Sequence, residues 1–150
     1  MMKIGLVASS GGHLTQLLRL SYACQGYKHF FVTAGVALEP KFASSAVSYP
    51  VVKANRKSPL LLFTMLIQVA HIFLKERPDV VMSTGAAAGC LFCLMAKAFG
   101  KKVVWVDTVS HVDRLTLSGR IIINIADLFL VQWPDLAAEY KKAEYAGTLL

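Results

Sequence analysis

Residues 3–13 have the sequence K-I-G-L-V-A-S-S-G-G-H. A short apolar run that ends in two glycines and passes directly into an amphipathic segment, residues 14–24, is typical of a buried strand followed by a helix. The same order recurs, and the predicted strands are residues 3–8, 28–34, 46–52, 79–83, 102–107 and 128–132. Near-continuous Val, Ile and Leu runs joined by helices indicate a parallel sheet covered on both faces. We therefore predict a doubly wound, mainly parallel, Rossmann-like α/β fold.

Length and composition limit the class of protein. The chain has 150 residues, of which 55% are hydrophobic and 17% charged, so extended disorder and a coiled coil are both disfavoured. We expect residues 1–150 to form a single domain, which is too short to supply two substantial lobes. A reaction that needs two lobes would then need a second chain.

The charge is unevenly distributed. Residues 1–102 carry twelve Lys or Arg and three Asp or Glu, whereas residues 103–150 carry four and six. The excess of basic residues in 1–102 favours an anionic partner, which could be phosphate, anionic lipid or nucleic acid. Nucleic acid is disfavoured, because no recognisable nucleic-acid-binding module appears.

The cysteines indicate the cellular compartment of the protein, and the sequence motifs indicate whether it binds a metal or a cofactor. Three cysteines without a secretory signal predict a reducing compartment, the cytoplasm. Cys90 and Cys93 are interpreted as core residues of a helix, and no spacing of potential ligands predicts a metal site. We expect no cofactor, since neither the dinucleotide fingerprint nor a P-loop is present.

Three loops carry candidate site residues. The strand-to-helix turn of Ser10, Gly11 and Gly12 favours a phosphate, and His13 could bind that phosphate, accept a proton from a hydroxyl or merely cap the helix. A second small-residue loop, residues 83–89, is expected to face the same crevice, although close helix–strand packing is the alternative. Asp107 ends a later strand and is the rival candidate for a general base.

Residues 59–74 form a predicted helix of unusual character. Apart from Thr64, Gln68 and His71, which are expected to line one narrow polar stripe, its circumference is mostly apolar. Sixteen residues reach about 24 Å, short of a membrane core of about 30 Å, so we expect the helix to lie in the membrane interface, aided by flanking bases including Lys53 and Arg56. The alternative is burial against a partner protein. The expected membrane contacts are Leu62, Phe63, Leu66 and Phe73.

Four blocks together resemble one family: S-S-G-G-H-L at 9–14, S-T-G-A-A-A-G-C at 83–90, V-D-T-V-S-H-V-D-R-L-T-L-S-G-R at 106–120 and L-F-L-V-Q-W-P-D-L at 128–136. It is the asparagine-linked glycosylation subunit 14 family, with its bacterial exopolysaccharide and capsule glycosyltransferase relatives. The glycine loops also resemble the N-terminal half of the enzyme that adds N-acetylglucosamine to the peptidoglycan lipid precursor.

The resemblance implies the N-terminal lobe of a two-lobed GT-B glycosyltransferase that is divided between two proteins. Such a lobe sits on the cytoplasmic face of the membrane, takes up a polyprenyl-diphosphate-linked acceptor and recruits a separate sugar-nucleotide-binding subunit. We expect little activity from this chain alone. The alternative is a non-catalytic anchor whose partner performs all the chemistry.

The resemblance also assigns residues. Ser10, Gly11, Gly12 and His13 would meet the acceptor diphosphate or the reacting hydroxyl, Thr84, Gly85 and Gly89 would complete that site, and Asp107 keeps the carboxylate that family members carry there. His111 and Asp113 depart from the more basic eukaryotic pattern. The eukaryotic N-terminal anchor has no counterpart, which leaves residues 59–74 as the expected membrane contact.

The end of the chain is expected to serve the partner subunit. Trp133 and Pro134 follow a strand with no obvious cover, and Trp is enriched at interface hot spots. Closure of the core by Trp133 is the alternative. Tyr140 marks the start of a tail predicted to be disordered or to dock the partner.

Overall fold

The computed structural model describes residues 1–149 and contains one sheet of seven parallel strands in the order β3-β2-β1-β4-β5-β6-β7. The strands are β1 Lys3–Ser9, β2 Lys28–Ala34, β3 Val47–Val51, β4 Val80–Ser83, β5 Lys102–Val106, β6 Leu128–Val131 and β7 Ala143–Tyr145. The predicted doubly wound α/β fold is confirmed, together with its six predicted strands. The seventh strand was not predicted, and the expectation of a disordered tail after Tyr140 is wrong, because β7 pairs with β6.

Six α-helices connect the strands within the described residues: α1 Gly12–Ser21, α2 Pro40–Ala43, α3 Pro59–Glu76, α4 Ala86–Ala98, α5 Leu117–Ile122 and α6 Pro134–Glu139. α3 begins with Pro59 at its first position, where the missing N–H costs no hydrogen bond. It ends at Glu76, and the next residue, Arg77, adopts a left-handed conformation (φ 47°) just before Pro78. α3 is therefore two residues longer than predicted.

The sheet separates two hydrophobic cores. Side chains alternate between the faces of a strand, so Leu6 of β1 packs with Leu17 of α1, whereas the adjacent Val7 belongs to the larger core under α3, α4, α5 and α6. Trp105 of β5 is completely buried in that larger core. Both faces are thus covered, as the apolar strands require.

The strand order determines where a ligand can bind. All strands are parallel, so their carboxyl ends share one edge, and β1 lies between β2 and β4. The chain leaves β1 in one direction towards β2 and β3 and returns on the other side through β4, β5, β6 and β7. Such a reversal opens a crevice outside the carboxyl ends of the strands. The loops after β1, β3, β4 and β5 all meet at this edge.

Asp127 stabilises the opposite edge of the sheet, where the amino ends of the strands lie. Its carboxylate accepts a hydrogen bond from the Val103 N–H (2.8 Å) and pairs with Lys97 (3.1 Å) and Lys102 (3.4 Å). The Val103 hydrogen bond is the largest cause of a lowered pKa for Asp127; partial burial opposes it, and the two lysines reinforce it. A lowered carboxyl pKa contributes stability that is present above the unfolded-state pKa and lost as pH falls through the folded-state pKa.

We expect Asp127→Ala to lower the free energy of unfolding by about 1 to 2 kcal/mol at pH 7, because a charged acceptor is removed from a backbone N–H. The deficit should shrink as pH falls below the ordinary Asp pKa of about 3.9. Urea unfolding at pH 7 and at low pH measures both values, with exposed Asp113→Ala as the control. An equal deficit at both pH values would contradict the electrostatic account.

Candidate functional site

A cleft of about 540 Å³ opens at the carboxyl edge of the sheet. It lies between the β1–α1 turn, the segment after β3, the start of α4 and the first turns of α5. Its polar side is lined by Ser9, Ser10, His13, Lys53, Asn55 and Arg56. The other side is mainly apolar and is lined by Ala54, Leu62, Ala86, Ala87, Cys90, Leu91, Leu117, Ser118 and Ile121. The cleft therefore combines basic and hydroxyl groups with a hydrophobic wall.

His13 is held in one orientation by the loop after β4. Its ring Nδ1 lies 2.9 Å from the Thr84 carbonyl oxygen, and the Thr84 hydroxyl donates to the His13 carbonyl at 2.6 Å. Because a carbonyl oxygen can only accept, Nδ1 carries the proton in this arrangement. In the neutral ring Nε2 is then a free acceptor, suited to take a proton from a bound hydroxyl.

The glycines of the β1–α1 turn leave their backbone open. Gly11 has φ +88°, a conformation that side-chain-bearing residues rarely adopt, and no atom lies within 4 Å of a Cβ placed on Gly11 or Gly12. α1 starts at Gly12 without a side-chain cap, so the first backbone N–H groups of the helix remain for a ligand or water. The turn is therefore accessible to a ligand, and phosphate binding there stays a prediction.

The second glycine loop has a different role from the one predicted. Thr84, Gly85 and Gly89 are all buried and do not line the cleft; Ala86 and Ala87 do. A Cβ on Gly85 would lie 2.8 Å from the His13 ring, and one on Gly89 would lie 1.9 Å from Ser83 Oγ. These small residues permit close packing of the loop around His13 and of α4 on the sheet. The alternative of close helix–strand packing therefore describes Gly85 and Gly89 better than contact with a ligand in the cleft.

Two basic residues of the cleft were predicted only as flanking bases of the apolar helix. Lys53 Nζ donates to Ser10 Oγ at 3.1 Å, which brings the ammonium group to the β1–α1 turn, and Arg56 lines the same side. β3 is the edge strand of the sheet, and its carboxyl end brings both residues to the cleft. Together with His13 they line the polar side of the cleft, where a diphosphate could bind.

Asp107 lies beneath the cleft and does not line it. Its side chain is 1% exposed; Oδ1 accepts from Trp105 Nε1 (3.0 Å) and the Thr116 hydroxyl (2.7 Å), and Oδ2 accepts from the Thr116 N–H (3.0 Å). A Cβ on Gly119 would lie 2.6 Å from Oδ1, so α5 packs directly on the carboxylate. Both oxygens are engaged in holding residues 107–119 together. The prediction that Asp107 is the general base is not supported by this environment.

The end of the chain packs back onto the sheet. Gln132, which is buried, donates from Nε2 to the Asp107 carbonyl (3.0 Å) and accepts from the Leu149 N–H (2.7 Å). Arg19 of α1 donates to the Leu149 carbonyl at 2.7 Å. Trp133 Nε1 donates to the Val109 carbonyl at 2.8 Å, so half-buried Trp133 helps to hold the loop after β5. Pro134 is exposed and Tyr140 half-buried, close to this end of the chain.

α3 buries one face and exposes another that is mostly apolar. Phe73 is 2% exposed and packs against Phe92 and Phe99 of the α4 region, with ring centroids 5.5 and 5.2 Å apart. The prediction of a membrane contact at Phe73 is therefore wrong. Gln68 faces inward, where its Oε1 accepts from the Val52 N–H (2.9 Å), so the predicted polar stripe does not form.

The exposed face of α3 carries large apolar side chains: Leu60, Leu61, Phe63, Leu66, Ile67 and Leu74. Leu62 is half-buried and belongs to the cleft. Among the described residues α3 is the one helix long and apolar enough to cross a membrane by length and composition. Of its residues, 22% are buried. Within residues 1–149 there is no group of three or more His, Cys, Asp or Glu that could hold a metal ion.

Comparison with known proteins gives consistent matches. The family described as "Oligosaccharide biosynthesis protein Alg14 like" matches residues 41–149. UDP-N-acetylglucosamine transferase subunit alg14 of Schizosaccharomyces pombe is 47% identical over 75 residues, which are 47% of this chain and 36% of that protein. The subunit ALG14 of Yarrowia lipolytica is 27% identical over 181 aligned residues, covering 99% of this chain and 81% of that protein.

Solved structures share the fold. The match to Acinetobacter baumannii MurG has a TM-score of 0.77 and 12% identity, covering 97% of this chain and 46% of that one. UDP-N-acetylglucosamine 2-epimerase from Rickettsia bellii gives a TM-score of 0.73 and 18% identity over 99% of this chain and 45% of that one. The chain therefore spans less than half the length of these structures. Its fold is equivalent to the N-terminal lobe of GT-B glycosyltransferases.

Proposed function

The chain belongs to the Alg14-like family of oligosaccharide biosynthesis proteins, and on that premise we propose that it is the acceptor-binding subunit of a two-chain glycosyltransferase. The enzyme transfers a sugar from a nucleotide sugar to a polyprenyl-diphosphate-linked saccharide. The observation that carries the proposal is the cleft, where Lys53, Arg56 and the open β1–α1 turn face a hydrophobic wall. The relatives' designation as UDP-N-acetylglucosamine transferase subunits supports the reaction class.

In this proposal the reaction is divided between two chains, because this chain forms one lobe of the enzyme. A GT-B reaction takes place between two lobes that close over donor and acceptor and exclude water. Residues 1–149 supply one such lobe, which we propose is a single acceptor-binding and membrane-associating domain. A separate subunit supplies the sugar-nucleotide site, and the pair, not this chain alone, turns over substrate.

In this proposal the acceptor is bound through its diphosphate and activated at its sugar. Lys53 and Arg56 provide positive charge, and the N–H groups of Gly11 and Gly12 at the start of α1 provide hydrogen-bond donors. The acceptor hydroxyl lies against His13 Nε2, which takes its proton as the oxygen attacks the anomeric carbon of the donor. The bond from that carbon to the nucleoside diphosphate breaks, and the nucleoside diphosphate leaves with the electron pair. Thr84 holds the His13 ring through Nδ1 and so acts as a positioning residue.

The partner subunit is proposed to dock where the loop after β5 meets the end of the chain. Half-buried Trp133 holds that loop through the Val109 carbonyl, and exposed Pro134 and half-buried Tyr140 lie nearby in the sequence. Residues 146–149 lie against α1 and Gln132 and form part of the same surface. Contact here would link the partner to the loop after β5, which leads into α5 at the cleft.

We propose that the protein is peripheral and binds the cytoplasmic face of the membrane through α3. The buried side of this helix contacts the sheet through Met65 and Val69, so it stays on the protein surface while Phe63, 62% exposed, and its neighbours enter the interface. Lys53, Arg56 and Lys57 precede the helix and suit anionic headgroups.

Replacing Leu60, Phe63 and Ile67 with Ser should release the protein from anionic vesicles. Each exposed apolar side chain contributes about 1 kcal/mol or more on burial, so the triple variant should bind about a hundredfold more weakly. Vesicle flotation measures the bound fraction. Tyr22→Ser, which removes an equally exposed aromatic residue near the end of α1, is the control and should leave binding unchanged. A folded triple variant that still floats with vesicles would show that another surface holds the membrane.

The proposed product is a lipid-linked saccharide for bacterial-type exopolysaccharide or capsule. The support for this proposal is the resemblance to the family at residues 106–120, where bacterial members often carry Asp at the position of Asp107 and eukaryotic members carry Glu. Deletion of the gene should remove the polysaccharide and leave a truncated lipid-linked precursor, which mass spectrometry of extracted lipids would detect. An unchanged lipid-linked pool would exclude this pathway.

The buried position of Asp107 favours one second candidate, a non-catalytic membrane anchor that only recruits the catalytic subunit. It removes one of the two candidate bases from the cleft and leaves His13 alone. An acceptor-binding assay on this chain separates the candidates, because an anchor would bind vesicles and the partner but not the acceptor headgroup.

A further inference from the structure

The apolar side of the cleft runs along α4. α3 and α5 both pack against α4, which lies between them. Leu91 of α4 is half-buried and forms the floor, Leu62 of α3 forms one wall, and Leu117 and Ile121 of α5 form the other. These four residues are called the α4 groove here.

The α4 groove is open to solvent and is apolar along its length. Leu117 and Ile121 are 56% and 47% exposed, although both line the cleft. Leu94, one turn beyond Leu91 on the same side of α4, is also exposed, and so is Leu66 of α3. Along α4, Ala87 in the cleft and exposed Leu94 are about 10 Å apart.

The position of the α4 groove indicates what occupies it. Its inner end lies in the same cleft as Lys53 and Arg56, so an anion bound by these residues would be next to the hydrophobic floor. A ligand with a diphosphate joined covalently to an apolar chain matches both ends at once. A protein partner would match the exposed apolar residues but leave the basic end without its anion, and the flat surface of a bilayer would not reach half-buried Leu62 and Leu91 inside the cleft.

Resting on the proposed function, we infer that the α4 groove binds the first isoprene units of the polyprenyl diphosphate. The protein then recognises part of the lipid itself, and the remaining chain passes from the groove into the membrane beside α3. Leu91, Leu117 and Ile121 are the residues that determine the preference for an isoprenoid over a short or polar substituent on the diphosphate.

Chain-length dependence tests this inference without a membrane. Calorimetric titration of the full chain with C5, C10 and C15 prenyl diphosphates, kept below their aggregation concentrations, gives the affinity for each length. Affinity should rise by about thirtyfold for each five-carbon unit that the groove covers, because half-removal of five carbon atoms from water contributes about that factor.

Variants of the groove residues show where the dependence on prenyl chain length arises. Leu117→Asn with Ile121→Asn should abolish most of the dependence on chain length, so that C15 binding weakens much more than C5 binding. Leu91→Trp should fill the floor and likewise weaken C15 binding more than C5 binding. Phe63→Asn, a matched change on the outer face of α3 away from the cleft, should keep the full dependence. Thermal melting of each variant controls for folding.

The outcomes distinguish failure of the groove proposal from failure of the proposed function. Equal affinity for C5, C10 and C15, or an unaltered dependence in both the α5 double variant and Leu91→Trp, overturns the groove and leaves diphosphate binding intact. Failure of every prenyl diphosphate to bind overturns the proposed acceptor site as well. A dependence lost in Phe63→Asn but kept in the α5 variant would assign the isoprenoid to the outer face of α3.

Discussion

His13→Ala is expected to lower turnover of the reconstituted two-chain enzyme by about 10²- to 10⁴-fold, the usual contribution of a positioned general base. The reason is the arrangement at the start of α1, where the Thr84 carbonyl fixes Nδ1 as the protonated nitrogen and leaves Nε2 for the substrate. Initial rates at varied acceptor concentration measure kcat and KM separately. If His13 is the base, kcat falls and KM changes little.

Two comparisons make this result specific. His111→Ala removes an exposed histidine on the loop after β5 and should retain the original rate. If His13 instead binds the diphosphate, its loss should raise KM and spare kcat at saturating acceptor. Retention of both constants in His13→Ala would remove the catalytic role from this chain and favour the anchor.

Asp107→Ala is expected to destabilise the fold by about 2 to 5 kcal/mol, because buried donors lose their acceptor and a small cavity remains. The Trp105 Nε1–H and the Thr116 N–H both donate to this carboxylate in the structure. Asp107→Asn should be destabilising too, since one carboxylate oxygen is replaced by an NH₂ group that faces donors. Urea unfolding measures the loss, with Asp113→Ala as the exposed control.

This prediction also decides the role of Asp107 in catalysis. If the carboxylate is structural, residual activity of Asp107→Asn below its melting transition should fall much less than that of His13→Ala. A variant with an unchanged free energy of unfolding and turnover reduced by about 10²-fold or more would return Asp107 to the role of base.

The fold was predictable because its signals are local. The strand at residues 3–9 is apolar at nearly every position, and two glycines follow at the turn into α1, so both the element types and their order could be inferred. β7 had no such signal. It contains three residues, A-E-Y, next to two lysines, and it forms because the free edge of β6 offers backbone hydrogen-bonding groups.

The candidate site was predictable only in part, because its residues come from distant segments. His13 and the glycine turn could be found from a single loop. Lys53 and Arg56 could not be assigned to the cleft without the strand order, which places β3 at the edge and its carboxyl end beside the other loops. Their basic character was recognised, but it was attributed to the flanks of α3.

Two errors concern side chains whose partners lie elsewhere in the chain. In α3 almost every position is apolar, so periodicity could not show that Phe73 faces inward and Phe63 outward. Asp107 looked like an exposed acid at a strand end. One usable signal was Trp105, two residues earlier and so on the same face of the strand, whose indole N–H needs an acceptor when buried.

The central claim is that this chain itself binds the lipid-linked acceptor, and equilibrium binding of a polyprenyl-diphosphate-linked saccharide to the full chain without its partner tests it most directly. The account predicts saturable binding that weakens by about tenfold or more in Lys53→Ala, because a charge-assisted contact to the diphosphate is lost. Lys57→Ala, which removes a nearby lysine outside the cleft, should bind like the original protein. Binding of the acceptor to the partner subunit alone, with none to this chain, would contradict the account.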